Sequence, residues 1–423
     1  MQEELLHFIW KYKKLQLKPL ISSDGDSILI ESPGVHNHLS GPDFFNAKID
    51  LAGQLWAGNV EIHVKASDWY AHKHQYDAAY DNVILHVVWE NDAAVLRKDG
   101  TKISTLELKN YVSVSLLHEY QQLFDNSLFS FINCEKSIAE IDQFVFDNWI
   151  ERVFFERLER KSNFILELLE QSHGDWEQVL FTLLLKNFGL KINSEAFLSL
   201  AGALPFAIVR KLQSNALQLE SVLFGMGHLL DDDLSDEYQQ AMKKEYNYLA
   251  HKFQLSNAGV FKPHFFKLRP SNFPTIRLSQ LAALYHKNHS LFEKIVSATD
   301  VKSLYAIFNC EASTYWSTHY TFAKTSKSRP KKLTKKFIDL IIINSVLPLK
   351  FSYHKQQGRA VDDDMLKIIS EVTSENNTII SNFRKHKVRI DNAKETQGVL
   401  ELYNEYCSKN RCLECAIGNS LLQ

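Results

Sequence analysis

Glycine and proline are scarce in this chain, 15 and 9 among 423 residues. A sandwich or barrel with many tight turns needs more of both, so long helices are expected to dominate. Net charge is nearly absent as well: 48 Lys and Arg stand against 50 Asp and Glu. No global field therefore favours nucleic acid or an anionic membrane, and any polyanion contact has to come from local basic patches. Long hydrophobic runs are also missing. The longest, FIDLIIINSVLPL, is broken by Asp339, Asn344 and Pro348 and is too short to cross a bilayer. The opening MQEELLHFIWKYKKLQL lacks the basic start, apolar run and small-residue cleavage site of a secretory signal. Five cysteines in a chain this long do not suggest a secreted disulfide scaffold. The expectation is a cytoplasmic protein with no membrane partner. A Gly-rich phosphate loop, a G-x-S-x-G elbow and a dinucleotide fingerprint are all lacking, so no motor is recognisable.

What is present is ample core material, 45% hydrophobic and 12% aromatic residues. The length suggests two or three domains at ~100–200 residues each. Leu5, Leu6, Ile9 and Trp10 recur at helical spacing. SILIES, DFFNAKIDL, NVEIHVKA, NVILHVVWE and KISTLEL then read as strands, β-branched or alternating with period two and bounded by turn residues. A helical piece, SDWYAHKHQYDAAY, separates the third and fourth, and KISTLEL is expected to close a hairpin. Residues 1–112 thus form a small α/β domain. Beyond them the period becomes 3.6, with Ile150, Phe154 and Leu158 at i, i+4 and i+8. DWEQVLFTLLLKNFG is apolar on nearly every side, with Gly189 as a C-cap, and reads as a central helix. The fold class is α+β: the small α/β domain followed by a large helical domain over 113–423.

One strand pair concentrates polar groups. Side chains alternate along a strand, so Val60, Ile62 and Val64 of NVEIHVKA share one face while Glu61, His63 and Lys65 share the other. Asp43 follows Pro42 at the start of DFFNAKIDL, and a turn between Gly53 and Gly58 would pair the two strands and bring Asp43 toward Glu61. Two carboxylates beside a basic residue meet the needs of phosphodiester hydrolysis with a hard cation such as Mg²⁺ or Mn²⁺. The acids hold the ion, the ion polarises phosphate and acidifies a water, and Lys or His orients the nucleophile or offsets charge. Two other readings stay open. Glu61, His63 and Lys65 can be the solvated face of an edge hairpin with Asp43 as a turn residue. Alternatively His36, His38, His63, His72, His74 and His86 supply a zinc site with Asp43 or Glu61. His72 and His74 lie two apart, so they diverge on a helix and align only in an extended segment.

The Pro-Asp that begins one strand, and the acid followed by basic residues on the next, resemble the PD-(D/E)XK nuclease superfamily. The preceding helix and the following helix and strand resemble its core. On that resemblance Asp43 and Glu61 are metal ligands. The residue two after Glu61 is His63 rather than lysine, and the lysine follows at Lys65, so the basic role falls to either. Over nearly its whole length the chain also resembles a bacterial family of unknown function, on GPDFFNAKI, GNVEIHVKASDW, AYDNVILHVVWEND, LRPSNFPTIRLSQLA and CLECAIGNSLL. That resemblance supplies no reaction.

Two loops carry positive charge. KTSKSRPKKLTKKF holds Lys327, Arg329, Lys331, Lys332, Lys335 and Lys336, enough to neutralise several phosphates of DNA or RNA if it is not simply a solvated lead into a helix. FKPHFFKLRPSNFPTIR interleaves basic residues with Phe261, Phe265, Phe266 and Phe273, as base stacking or a stiff core loop would require. Finally, Cys407, Cys412 and Cys415 give C-x₄-C-x₂-C. Such a group binds zinc or an iron–sulfur centre when a fourth ligand is present, Cys134 and Cys310 being the available thiols; otherwise it is a set of buried free thiols. The leading function is metal-dependent cleavage of DNA or RNA by Asp43, Glu61, His63 and Lys65. The alternative is a non-catalytic nucleic-acid-binding or scaffold protein that keeps a nuclease-like fold.

Overall fold

The first helix, α1 (Glu3–Lys11), buries Leu5, Leu6, Phe8, Ile9 and Trp10 along one stripe, and Trp10 donates its indole N–H to the Pro33 carbonyl at 3.0 Å. A sheet follows: β1 (Leu20–Ile21), β2 (Ser27–Ser32), β3 (Val35–His36), β4 (Phe44–Leu51), β5 (Gln54–Lys65), β6 (Val83–Glu90) and β7 (Thr105–Glu107). Its order is β1-β2-β4-β5-β6-β7, with β3 beside β4. This computed structural model describes residues 2–125, 131–231, 236–359 and 363–422.

The β4–β5 hairpin turns on Ala52 and Gly53, both at positive φ (52° and 84°), with Leu51 opposite Gln54. Two left-handed residues make a type I′ turn, whose twist suits the flanking strands. The segment up to Gly58, read from the sequence as part of the turn, is therefore strand. The pairing then shifts register between Phe44 and Ala47, where Asn46 adopts a φ of 56°, and Phe44 sits opposite Val60. Strands β5, β6 and β7 run parallel. KISTLEL thus does not close a hairpin on β6; the long connection from Asn91 to Ser104 lets the chain return to the same end of the sheet, as parallel pairing demands. Val60 and Ile62 pack into one core with α1, while Trp69, Tyr80, Val83 and Val88 form a second on the opposite face. Ile62 is 0% exposed. Ile62→Ala is expected to lower unfolding stability by about 2–5 kcal/mol, read from the denaturant midpoint.

The fold is mixed α/β, with a large helical portion after the sheet. The chain divides into two compact units whose membership crosses the sequence order. The first holds the described residues up to Trp149, with Asn382–Val388 and those from Leu402 on; the second holds Ile150–Ser381 and Arg389–Glu401. The division expected at 112/113 from the change in period misses both returns. Period marks where helices begin and carries nothing about which core they join. The cysteine tail accordingly belongs with the sheet and not with the helical unit: Leu422 is fully buried in the core that α1 and Ile62 share.

In the second unit, Trp176–Phe188 is buried on nearly all sides, as its composition implies, and its N-cap Asp175 accepts from the Glu177 and Gln178 N–H groups. The apolar run around Pro348 is helical throughout: Lys335–Ile341, a π turn over Ile342–Val346, then Leu347–Gln356. The wider π turn accommodates a proline that lacks an N–H and would crowd the preceding turn. Glu401, 2% exposed, accepts from Arg160 Nη2 at 2.6 Å and Nε at 3.1 Å, and from Arg157 Nη1 at 3.4 Å. Among the described residues, no single helix is long and apolar enough to cross a membrane.

Candidate metal centre

Asp43 and Glu61 meet, and each carboxylate accepts a backbone N–H from the opposite strand segment. The Asp43 N–H donates to Glu61 Oε2 at 3.1 Å, and the Ile62 N–H donates to Asp43 Oδ2 at 2.9 Å. The register shift in β4 makes this interlock possible, because it sets the start of β4 against the buried middle of β5. Helix α1 adds two groups that the sequence did not single out. His7 Nε2 lies 3.3 Å from Asp43 Oδ2, and Glu3 is close enough to raise the proton affinity of Glu61.

The other Glu61 oxygen faces a histidine cluster. Glu61 Oε1 is 3.5 Å from His63 Nε2 and 3.3 Å from His74 Nε2, and His63 Nε2 is 3.2 Å from His72 Nδ1. Ligand atoms of His63, His72 and His74 all lie within 4.8 Å of one another. A tetrahedron with metal–ligand distances of ~2.0–2.1 Å has edges of roughly 3.3–3.4 Å, which the three measured separations bracket. The local backbone explains how two histidines two apart converge. The expected continuous helix stops after Asp68–Ala71, Lys73 takes a left-handed φ of 64°, and His74 begins a separate 3₁₀ turn. No glycine or asparagine marks that reversal, so the sequence does not betray it. A non-glycine residue held in this region is strained and concentrates at functional sites.

A further ring of contacts fixes the imidazoles. His86, opposite Glu61 in the parallel register, places Nε2 2.8 Å from His63 Nδ1. In the tautomer where His63 Nδ1–H donates to His86, His63 Nε2 keeps its lone pair for a metal. His74 stacks on Tyr80 at 3.8 Å, and Trp69 meets His74, Tyr80 and His86 edge-on or tilted. Burial, with the neighbouring histidines, pushes His63 down to about 2. Burial lowers His74 and takes His86 to about 3. Neutral imidazoles are the form that ligates. Glu61 is driven the other way, up to about 9, by burial and then by the Asp43 charge. The Nε2 atoms of His7 and His74 and Nδ1 of His86 are buried without a hydrogen-bond partner. Orphaned nitrogens beside a carboxyl that resists ionisation fit a divalent cation, which would satisfy His74 and supply the charge that Glu61 needs.

Lys65 stands apart. It is exposed at the end of β5, opposite Glu90. His36 stacks on Phe44 and touches His7 and His38, flanking Asp43 rather than joining the Glu61 cluster. The basic loop lies in the helical unit. There Lys327, Arg329, Lys332, Lys335 and Lys336 are exposed, but Lys331 is 7% exposed. Its ammonium is taken up by the Ser317 and Arg329 carbonyls and the Tyr320 ring, which removes it from any phosphate. In the aromatic loop Phe261 and Phe266 are exposed, whereas Phe265 and Phe273 pack on the core and Arg277 is buried against Phe337, Gln280 and Asn272.

Residues 3–378 match the family described as Protein of unknown function (DUF2851), and the chain belongs to it. No curated protein and no solved structure matches the chain.

Proposed function

We propose that this chain is a metal-dependent phosphodiesterase cleaving DNA or RNA, with Glu61, His63, His72 and His74 as the ligands of its metal ion. The observation that carries the reading is the set of tetrahedron-length separations that link Glu61 Oε1 to His63 and His74, and His63 to His72, next to Asp43 on the paired strand. When bound, the ion supplies Lewis acidity toward phosphate and a more acidic water. Three imidazoles with one carboxylate favour Mn²⁺, Fe²⁺ or Zn²⁺ over Mg²⁺, which prefers oxygen ligands. His72 is the exposed member of the set, so the substrate side of the centre lies there. Asp43, oriented by the Ile62 N–H and paired with His7, is the group placed to hold a proton during hydrolysis. A groove of about 740 Å³ runs from His7 past Lys11, His36 and His38 to Lys409 and Arg411; Glu405 and Glu414 take up the last two charges, and Lys11 is the cation its wall offers to a phosphate. Lys65 has no part in this reading.

The test is cleavage of labelled single- and double-stranded DNA and RNA in Mn²⁺, Zn²⁺, Mg²⁺ or EDTA, with bound metal counted in the same preparation. Cutting is expected with Mn²⁺, weaker with Mg²⁺ and lost in Asp43→Ala. Tightly bound metal without cutting would mean a closed structural centre. Salt-sensitive binding without cutting would favour the scaffold alternative, and no bound metal would sink the ligand set. His86→Ala is expected to weaken metal affinity by about 10–100-fold through the freed His63 ring, measured by competition with a chelating dye.

A further inference from the structure

Four of the five cysteines, Cys134, Cys407, Cys412 and Cys415, line one cavity of about 10 Å³. All are free thiols. Cys134 comes from a turn more than half the chain away from the others, so sequence proximity does not explain the gathering; tertiary structure brings it there. Cys407 and Cys412 each open a 3₁₀ turn, and Cys415 caps the last short helix, Ala416–Ser420. The loop is folded tightly enough that a Cβ on Gly418 would lie 2.1 Å from the Cys412 carbonyl oxygen. The Asn133 amide reaches Cys412 Sγ at 3.5 Å, an N–H aimed at sulfur. By contrast Cys310 sits alone in the helical unit, its thiol on the Gln280 carbonyl.

We propose that Cys134, Cys407, Cys412 and Cys415 are the four thiolate ligands of an iron–sulfur cluster. A single Zn²⁺ at ~2.3 Å from each sulfur would draw the sulfurs to roughly 3.8 Å apart. Among the described residues, the histidines form a set within 4.8 Å and the cysteines do not. The wider spacing suits a cluster, whose inorganic sulfides stand between the iron atoms and whose irons carry the thiolates. Each thiol loses its proton to solvent as it binds. The consequence for the rest of the unit is mechanical. Lys409 and Arg411, which line the groove leading to His7, lie between Cys407 and Cys412, so the cluster ties the groove wall to the turn that carries Cys134.

The experiment is anaerobic purification of the full chain, with iron, acid-labile sulfide and zinc measured beside the visible spectrum. Iron and sulfide in near-equal amounts with broad visible absorbance are expected. Both should be lost in Cys134→Ser and Cys412→Ser and kept in Cys310→Ser. Glu61→Gln should also keep them, which separates this centre from the histidine site. Wild-type protein reconstituted with Fe²⁺ and sulfide gives the same readout without any variant. Zinc alone, lost on Cys134→Ser, would overturn the cluster in favour of a single ion. Iron content unchanged by Cys134→Ser, or no absorbance after reconstitution, would overturn the ligand set.

Discussion

Glu61→Gln is expected to abolish the proposed metal-dependent cleavage, by on the order of 10³-fold or more, because removing an anionic ligand would forfeit several kcal/mol of Lewis-acid stabilisation. The same variant behaves oppositely in stability when metal is withheld. In the folded metal-free chain the Glu61 carboxyl is raised from its ordinary range to about 9 by burial and by Asp43. Folded protein therefore binds that proton more tightly than unfolded protein does. Below the ordinary carboxyl range both states are protonated and nothing is lost. As pH rises toward 9 the unfolded chain ionises freely while the folded one resists, so stability declines across that window. Glutamine mimics the neutral carboxyl and removes the decline. Below about pH 6.5 the depressed His63, His74 and His86 act the other way, because their imidazoles protonate in the unfolded chain and resist it in the folded one. Denaturant midpoints in chelator, measured between about pH 7 and 9, should therefore slope downward for wild type and stay flatter for Glu61→Gln. Metal reverses the sign: the ion binds the ionised carboxylate, so affinity rises with pH through the same window. A wild type whose metal-free midpoint rises between about pH 7 and 9 would contradict the protonated Glu61.

The second large effect lies in the helical unit. Glu401→Ala leaves Arg157 and Arg160 facing a site that no longer holds their common carboxylate. Breaking a buried pair from one side costs about 3–5 kcal/mol, and here the lower end applies because Arg160 is half exposed and can turn to water. The outcome is read as a shift in urea midpoint with little change in slope. Glu401→Gln should lose less, since its amide oxygen still accepts from one guanidinium. Equal losses for both would mean that packing, and not charge, dominates at this position.

Much of the sheet was readable because period two survives wherever one face is buried. SILIES coincides with β2, and DFFNAKIDL and NVEIHVKA pair as their alternation implies. Asp43 and Glu61 were likewise legible as a pair, since a hairpin with those ends brings its acids together. What was hidden depends on backbone and long-range effects that composition does not encode. The left-handed Lys73, which aims His72 and His74 at one point, occurs at a residue type that seldom adopts that conformation. His7 and Glu3 lie on the polar side of an amphipathic helix, and only packing of α1 against β5 brings them to Asp43. The parallel direction of β7 was masked because a 14-residue connection with its own small turn resembles a hairpin arm. Cys134 carried no local signal at all.

That last point has a consequence for how the molecule is made. The sheet unit includes residues from Leu402 on, with Leu422 buried beside α1 and Cys407, Cys412 and Cys415 beside Cys134. Ribosomes emit chain from the N-terminus at about 5–20 residues per second, so the sheet emerges first and waits on the order of ten seconds to a minute for its missing piece. During that wait most of the helical unit, Ile150–Ser381, emerges, and its last piece, Arg389–Glu401, follows just ahead of Leu402. Birth order and completion order are thus inverted: of the two units, the one begun first is completed after the other, and its groove acquires Lys409 and Arg411 only when synthesis has reached them. A chain truncated before Leu402 would carry every histidine ligand yet lack one wall of the groove.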